Sequence, residues 1–484
     1  MLFRPRLLRH RSRKYQRPLI YTLLLLFVLD AWFILRSRSA AIRSSVSSTA
    51  KAAGSEDTAS LIPPKHEYPS VFIVSVHRNT EEILRSAWNE NLLRLVDHLG
   101  HDRVYVSAVE SGSQDHTKEA LMDLQTQLAA RGVSHTIDLG TTVWEQLDEL
   151  YAWPEPDTPR SERPGWIWDG EEGHFALRRI PYLARVRNQA MAPLLTEAAR
   201  NGGQGRRFDR VLWINDVAFD TEDVLTLLDT RGGHYAAACA MDFKTYPHYY
   251  DTFALRDADG DKAVSPHWPW FRSADARADV RAGRPVRVQS CWNGMVAFDA
   301  QPFYDTMPAT ETESSPESGH TPQPLLFRGV DDSLAEYHLE GSECCLIHAD
   351  NPQSRFSDVP TSSSRRRRLG VDVDAEAGKD IGVWLNPNVR VAYTAPVYRQ
   401  VRAGGAGNNG VFPGGFSAVY GTWANRWQRA LSSVQFVLEG QTVLNRLRRW
   451  RAETPTGEPP RSEPGAVCLI NEMQIMWQNG WKHL

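Results

Sequence analysis

The sequence predicts an α/β fold: a mixed, mostly parallel sheet flanked by helices, behind an N-terminal transmembrane helix. Three observations predict it. From residue 70 onward, short apolar runs rich in β-branched residues alternate with amphipathic helical stretches. A long apolar stretch follows a block of basic residues at the start. The composition, 42% apolar and 23% charged over 484 residues, is globular and excludes collagen, a coiled coil or wholesale disorder.

Residues 1–17 carry seven basic groups and no acid, so the formal charge of −3 resolves into a +7 tail and −10 over residues 18–484. A chain acidic over most of its length is unsuited to non-specific nucleic-acid binding. Residues 18–35, PLIYTLLLLFVLDAWFIL, follow that tail. At about 1.5 Å per residue they make about 27 Å of helix, enough for a thin bilayer. Tyr21 and Trp32 sit near its two ends as interfacial aromatics do, and Asp30 lies close enough to the luminal end to reach the headgroups. Arg36-Ser37-Arg38 follows in place of a small-residue cleavage site, which predicts a retained signal anchor with its cationic flank in the cytosol. Residues 36–66 are polar and aperiodic, a stem. Tail, anchor, stem and a large luminal portion are the plan of a single-pass type II protein of the Golgi membrane. Cys239, Cys291, Cys344, Cys345 and Cys468 predict a bridge or two with one thiol left over, and no N-x-[ST] sequon occurs.

The folded part begins at VFIVSV (71–76), a buried strand. Asn79 with Glu82 three residues on predicts a capping box, opening a helix with Leu84, Trp88, Leu92, Leu95 and Leu99 on one stripe and Gly100 at its end. RVYVSAV (103–109) is the second strand, KEALMDLQTQLAARG the second helix and SHTIDLG the third strand, a right-handed parallel unit. Residues 141–175, acidic, Pro-rich and aromatic, read as an excursion from the sheet. Helical pattern resumes over 181–200. FDRVLWI is a strand, TEDVLTLLDT a helix, HYAAACAM a strand ending at Asp242, and VRVQSCW and GMVAFDA two more strands. In GSECCLIHAD, Cys344 and Cys345 read as buried strand, since adjacent cysteines do not easily share one tetrahedral zinc. Residues 307–324, and 353–370 with Arg365 to Arg368, read as low-complexity surface inserts, and the folded domain as 67–400 with an unassigned extension over 401–484.

Ligands of open α/β sheets bind beyond the carboxyl ends of the strands. After the second strand, Glu110, Ser111, Gly112 and Asp115 form a tight turn whose acids can bind a ribose or a base edge; a helix cap accounts for the same residues. After the FDRVLWI strand comes Asn215-Asp216-Val217. A carboxylate directly behind an apolar strand can hold a divalent cation against a diphosphate. Arg187-Asn188 on the preceding helix and Asp242 at the next strand end accompany it. His348 and Asp350 could complete a metal shell, and Trp292 with His267-Trp268-Pro269-Trp270 suit sugar stacking or core packing.

In order, VFIVSVHRNTEEIL, VYVSAVESGSQDHT, LARVRN and VLWINDV resemble the nucleotide-sugar domain of GT-A glycosyltransferases. RIPYLARVRNQAMAPL, WINDVAF, YAAACAMDF, YDTFALRD, SCWNGMVAFDA, SECCL and NPNVRVAYT are similar to fungal capsule-associated α-1,3-mannosyltransferases, glycosyltransferase family 69, over about residues 70–395. The resemblance implies a GT-A fold, Golgi type II topology, and retaining transfer of mannose from a GDP-mannose donor to a mannose-containing glycan acceptor, with Mn2+ or Mg2+. Position by position it implies nucleotide contacts at Glu110, Ser111, Gly112, Asp115 and Asn188. It implies a metal held by Asp216 with Asn215 and His348, catalytic roles for Asp216, Asp242 and Arg187, and an acceptor side near Asp332 and Trp292. Asn215-Asp216-Val217 departs from the family-wide Asp-x-Asp triplet, leaving one carboxylate there. Two other readings stand beside this one: a UDP-sugar transferase, and a catalytically inactive member serving as scaffold, which Asn215 motivates.

Overall fold

The computed structural model describes residues 8–53, 68–304, 324–354, 381–404, 412–478 and 480–484. Most of both expected inserts, the four arginines 365–368, the first residues of the tail and the end of the stem lie outside the described residues. Helix α1 (Leu8–Ala53) runs without a break from the basic tail through the apolar stretch into the expected stem, and Ile20–Arg43 within it is long and apolar enough to cross a membrane.

β1 (Val71–His77) leads to α2, where Glu81–Ile83 and Asn89–Leu99 are joined by a π-turn at Leu84–Trp88. β2 (Val104–Glu110), α3 (Thr117–Ala130) and β3 (Ser134–Asp138) complete the parallel unit. All five residues of the expected stripe, Leu84 to Leu99, are buried. The apolar run of β1 is split between two cores as strand alternation requires: Val71 and Ile73 face α2 and α3, while Phe72 and Val74 face the opposite layer. The excursion at 141–175 holds α4 (Val143–Tyr151), opened by a Thr142/Glu145 capping box, and a hairpin of β4 (Trp166–Asp169) and β5 (His174–Leu177) outside the main sheet.

α5 (Arg179–Gly203) covers the second face, then come β6 (Arg210–Ile214), α6 (Thr221–Leu228) and β7 (Ala237–Thr245). Short β8 (His248–Tyr249) and β9 (Arg256–Asp257), α7 (Ala274–Ala282), β10 (Val286–Ser290) and β11 (Met295–Asp299) follow. Beyond them lie β12 (Glu340–Gly341), α8 (Glu343–Asp350), β13 (Val383–Ala392), α9 (Ala395–Ala403), the 38-residue α10 (Gly415–Ala452), and β14 (Leu469–Ile470), β15 (Gln474–Trp477) and β16 (Gly480–His483). The 10-stranded sheet has the order β3-β2-β1-β6-β11-β7-β13-β10-β9, with β8 on β7. β3-β2-β1-β6 and β7-β13 are parallel, and β11 runs antiparallel between β6 and β7. β1 and β2 stay in register to His77 and Glu110, so their outgoing loops emerge side by side.

Several expectations are corrected. Asn79 does not cap α2: it sits at φ +53°, accepts from the Gln114 amide through Oδ1, and leaves Thr80 as the preceding residue without a side-chain cap. The first amide of the helix is capped instead by Asp115 from the neighbouring loop. β7 runs three residues past Asp242. GSECCLIHAD is the helix α8, with Ser342 accepting from the Cys344 amide at its N-terminus. Two disulfides, Cys239–Cys291 and Cys345–Cys468, leave the buried Cys344 free, as the odd count implied. The segment read as an unassigned extension is built into the fold. β14 pairs with β12, Cys468 is bridged to α8, and Arg256 donates to the Val467 and Cys468 carbonyls.

Candidate active site

The turns after β6, β7 and β13 and the one that enters β11 meet at one end of the sheet. Asn215 follows β6 and is held rigidly: its amide donates to the Gly294 carbonyl (2.9 Å), its carbonyl takes the Trp88 indole (2.9 Å), and its Oδ1 takes the Trp292 indole (3.1 Å). Asp216 comes next and lines a cavity of 120 Å³ with Asn79, Thr80, Glu82, Ser86 and Tyr393. Burial pushes its carboxyl up, opposed by its own backbone amide and the charge of Arg187.

Asp242 lies alongside, at the level of Val391 on β13. It is fully buried; one oxygen takes the Asp251 amide (3.1 Å) and the other the Tyr393 hydroxyl (2.8 Å). Burial, then the charge of Asp251, push it up to about 7. Asp251 is raised as well, by burial foremost. Gly294, at φ +77°, makes this convergence possible, since a Cβ there would stand 2.9 Å from Val391, 3.1 Å from Val217 and 3.2 Å from the Asp242 side chain.

Arg187 closes the cluster from α5. Its Nε donates to Glu343 Oε1 (3.0 Å), and its guanidinium lies 4.4 Å from the Trp292 ring and 5.2 Å from that of Trp213. Its charge acts on Asp216, and that of Asp251 on it. Asp216, Asp251 and Glu343 therefore surround one arginine, with Asp242 beside Asp251, an excess of acid that a divalent cation held by two of these carboxylates fits. On the β1 side, Arg78 has its Nε and Nη2 buried and without a hydrogen-bond partner, which suits it to an anionic ligand.

The β2 turn is a brace. Glu110 is buried and contacts Lys118 (3.2 Å). Ser111 shares a hydrogen bond with the Tyr182 hydroxyl (3.0 Å), and Gly112 sits at φ +69° against Gln146. Asp115 accepts from the Thr117 hydroxyl and amide with one oxygen and from the Glu81 amide with the other. Burial would raise it, but the Thr117 hydroxyl and those amides leave it below the usual carboxylate range. The double cap uses both oxygens and laces the β1 and β2 loops together.

Other expected residues fall elsewhere. Asn188 spans the Phe327 backbone, donating to its carbonyl and accepting from its amide, a structural clasp. His348 is fully buried, gives Nε2 to the Cys291 carbonyl (2.7 Å) and stacks on Phe298; burial pushes it down to about 4. Among the described residues one group brings three ligating atoms within 4.8 Å, Cys239, Cys291 and His348, and its two sulfurs are consumed in a disulfide. Asp350 pairs with Arg328 (2.6 Å). Asp332 pairs with buried Arg178 (2.6 Å) and caps the Gly165 amide, so it supports the fold instead of facing an acceptor. Trp292 is buried among Trp213, Phe327 and Arg187 and presents no stacking face. Trp268 and Trp270 turn inward around a 230 Å³ cavity shared with Phe243, Tyr246 and Arg390. Asp251, Glu343, Tyr393 and Arg78 were missed by sequence reasoning, although each lies inside one of the quoted motifs, YDTFALRD, SECCL, NPNVRVAYT and VFIVSVHRNTEEIL.

A family model described as Cryptococcal mannosyltransferase 1 matches residues 70–350, which hold every residue of the cluster except Tyr393. The chain belongs to that family. Membership makes this Cryptococcal-mannosyltransferase-type chain a glycosyltransferase, and the mixed sheet with its flanking helices is GT-A-like. A search of curated proteins returns no match. Among solved structures, the chain is similar to the mannosyltransferase PcManGT from Pyrobaculum calidifontis, solved with GDP-Man and Mn2+, at 11% identity and TM-score 0.32, over 90% of this chain and 89% of that one. It is also similar to TarS 1-349 of S. aureus, at 10% identity and TM-score 0.29, over 69% and 63%. A third is glucosyl-3-phosphoglycerate synthase of M. tuberculosis, at 14% identity and TM-score 0.22, over 49% and 59%.

Proposed function

We propose that this protein transfers mannose from GDP-mannose, with retention, onto a mannose-containing glycan, forming an α-1,3 linkage. In this reading it is a single-pass type II protein of the Golgi membrane, anchored by α1, with its catalytic domain in the lumen. The observation that carries the reading is the acid cluster Asp216–Asp242–Asp251–Glu343 against Arg187 at the strand ends of a mannosyltransferase-family domain.

Mn2+ or Mg2+ is the cofactor this donor set fits. It would be held by Asp216 with Asp251 or Asp242, completed by water and donor phosphate oxygens as such ions prefer. When bound, it supplies Lewis-acid stabilisation of the departing diphosphate. The chain's own residues do the rest. Arg78, unpartnered at the end of β1, and Arg187 offer positive charge to the donor's phosphates. Asp242, buried and hydrogen-bonded to Tyr393, positions that tyrosine at the wall of the cavity that Asp216 lines. Burial of the cluster excludes water that would otherwise intercept the sugar. A scaffold role is the second reading, favoured by Asn215 in place of a carboxylate and by the engagement of its Oδ1 with Trp292.

The test is a titration of the full-length protein in detergent with GDP and UDP, with and without Mn2+. Manganese-dependent GDP binding is expected, falling at least roughly tenfold in Asp216→Asn. Preference for UDP would overturn the donor, and failure to bind either nucleotide would favour the scaffold. With GDP-mannose and α-mannobiose, a β-linked product would rule out retention.

A further inference from the structure

Helix α10 is amphipathic the wrong way round. Its first half packs on the domain through Ala418, Gly421, Thr422 and Asn425, with Gly421 pressed on the Trp268 backbone. Over residues 416–438 its large apolar side chains point outward, whereas Val443, Leu447 and Trp450 further along are buried. Phe416, Trp423, Trp427, Leu431, Val434 and Leu438 recur at intervals of three, four and seven, the spacing of one helical face, and span about 33 Å at about 1.5 Å per residue. They are 40–84% exposed. A soluble domain rarely leaves so continuous an apolar strip to water.

Two further observations say what covers it. The first is α1. Its Phe27 ring lies 5.5 Å from Trp423, Asp30 pairs with Arg426 (2.5 Å), and Arg38 donates to the Pro413 carbonyl (2.6 Å). The apolar stretch of α1 and the outer face of α10 are thus one continuous apolar surface, and Asp30 is neutralised where the two meet. Past that contact α1 leaves Trp427, Leu431 and Val434 more than 60% exposed. The second is charge. Arg272, Arg277, Arg281, Arg426 and Arg429 gather along the seam where α10 meets the domain, Arg429 donating to Asn425 and Arg272 to Ser432, with Arg426 on the flank nearest the apolar strip. Arg277 is pushed down to about 10, by burial first and then by the charges of Arg429 and Arg281. Only Arg426 and Arg272 have ion-pair partners among the described residues, Asp30 and, at 3.9 Å, Asp261.

We propose that the outer face of α10 is a second membrane contact, lying in the luminal leaflet beside the anchor, with the arginine cluster against anionic lipid headgroups. An apolar face carrying Trp and Phe, with arginines along the flank behind it, is the chemistry of an interfacial helix. The contact fixes the catalytic domain's orientation on the bilayer, where a stem alone would leave it free to tumble. The proposal rests on the anchor reading and is independent of which sugar is transferred.

The test uses the full chain in vesicles of phosphatidylcholine with phosphatidylserine and spin labels on single introduced cysteines. Cys344 is buried and the other four cysteines are bridged, so the label goes to the new site. Val434→Cys is the probe, Leu24→Cys in α1 the bilayer reference and Gln125→Cys on α3 the water reference. Expected is a several-fold higher ratio of oxygen to nickel-chelate collisions at Val434 than at Gln125, falling when phosphatidylserine is omitted. A water-like Val434 beside a lipid-buried Leu24 overturns the α10 contact alone, while a water-like Leu24 overturns the anchor as well. Broadening at Val434 from a second label overturns the proposal by assigning the face to another copy of the chain. A ratio unchanged without phosphatidylserine overturns the role of the arginines.

Discussion

Asp242 shows how much one side chain's surroundings decide. A carboxyl with an ordinary value near 3.8 is pushed up to about 7 here by burial first and then by the charge of Asp251 beside it. The folded protein therefore holds a proton that the unfolded chain has released between those two values. Stability from this group is full below about pH 3.8 and is lost as pH rises through about 7. Wild type should lose stability between pH 5 and 8 more steeply than Asp242→Asn, by on the order of a few kcal/mol, read from denaturant midpoints at each pH. Identical slopes would show that Asp242 is already ionised in the fold. Asp216 was legible in the sequence because a carboxylate directly behind an apolar strand has one natural position, the strand end. Asp251 and Glu343 were not, because each belongs to a segment whose proximity to Asp216 is set by sheet order and not by spacing along the chain.

At the scale of elements, the long periodic segments were legible and the short apolar ones were not. The stripe of α2 and the alternation of β1 have enough repeats to declare their period. ECCLIHAD has eight residues, a length at which a buried helix and a buried strand look alike. What decides for the helix is local: Ser342 accepts from the Cys344 amide and Glu343 sits in the first turn. Ser342→Ala should cost about 1 kcal/mol and Ser342→Asp should restore it, measured by chemical denaturation. The loops after β1 and β2 teach the complementary lesson. Asn79 and Glu82 spell a capping box, yet the tertiary partner Asp115 takes that task, because register between β1 and β2 brings the two loops together.

At the scale of the molecule, the last seventy residues close the structure. Cys345–Cys468 spans 123 residues of chain, Glu463 and Asp350 share Arg328, and α10 borders the α7 and β9 region through Lys262–Glu439 and Arg272–Ser432. The double substitution Cys345→Ala/Cys468→Ala should lower stability by about 2–5 kcal/mol, seen as a drop in Tm of the full chain under non-reducing conditions. An unchanged Tm would show the C-terminal segment to be dispensable. Composition could not reveal this closure, since the contacts that tie the segment to the rest of the fold reach residues more than a hundred positions away.

By itself the sequence determined the alternation of strands and helices, the apolar helix behind a basic tail, the position of Asp216 and the motifs of the family. These follow from periods, caps and short-range spacing, which act over one or two turns of chain. Only the tertiary structure decided that Asp242, Asp251, Glu343 and Arg187 form one cluster, that His348, Asp332 and Trp292 belong to the fold, and that α10 turns its apolar face outward. Each of those depends on which strands are neighbours in the sheet, and that order is set by burial of the whole core.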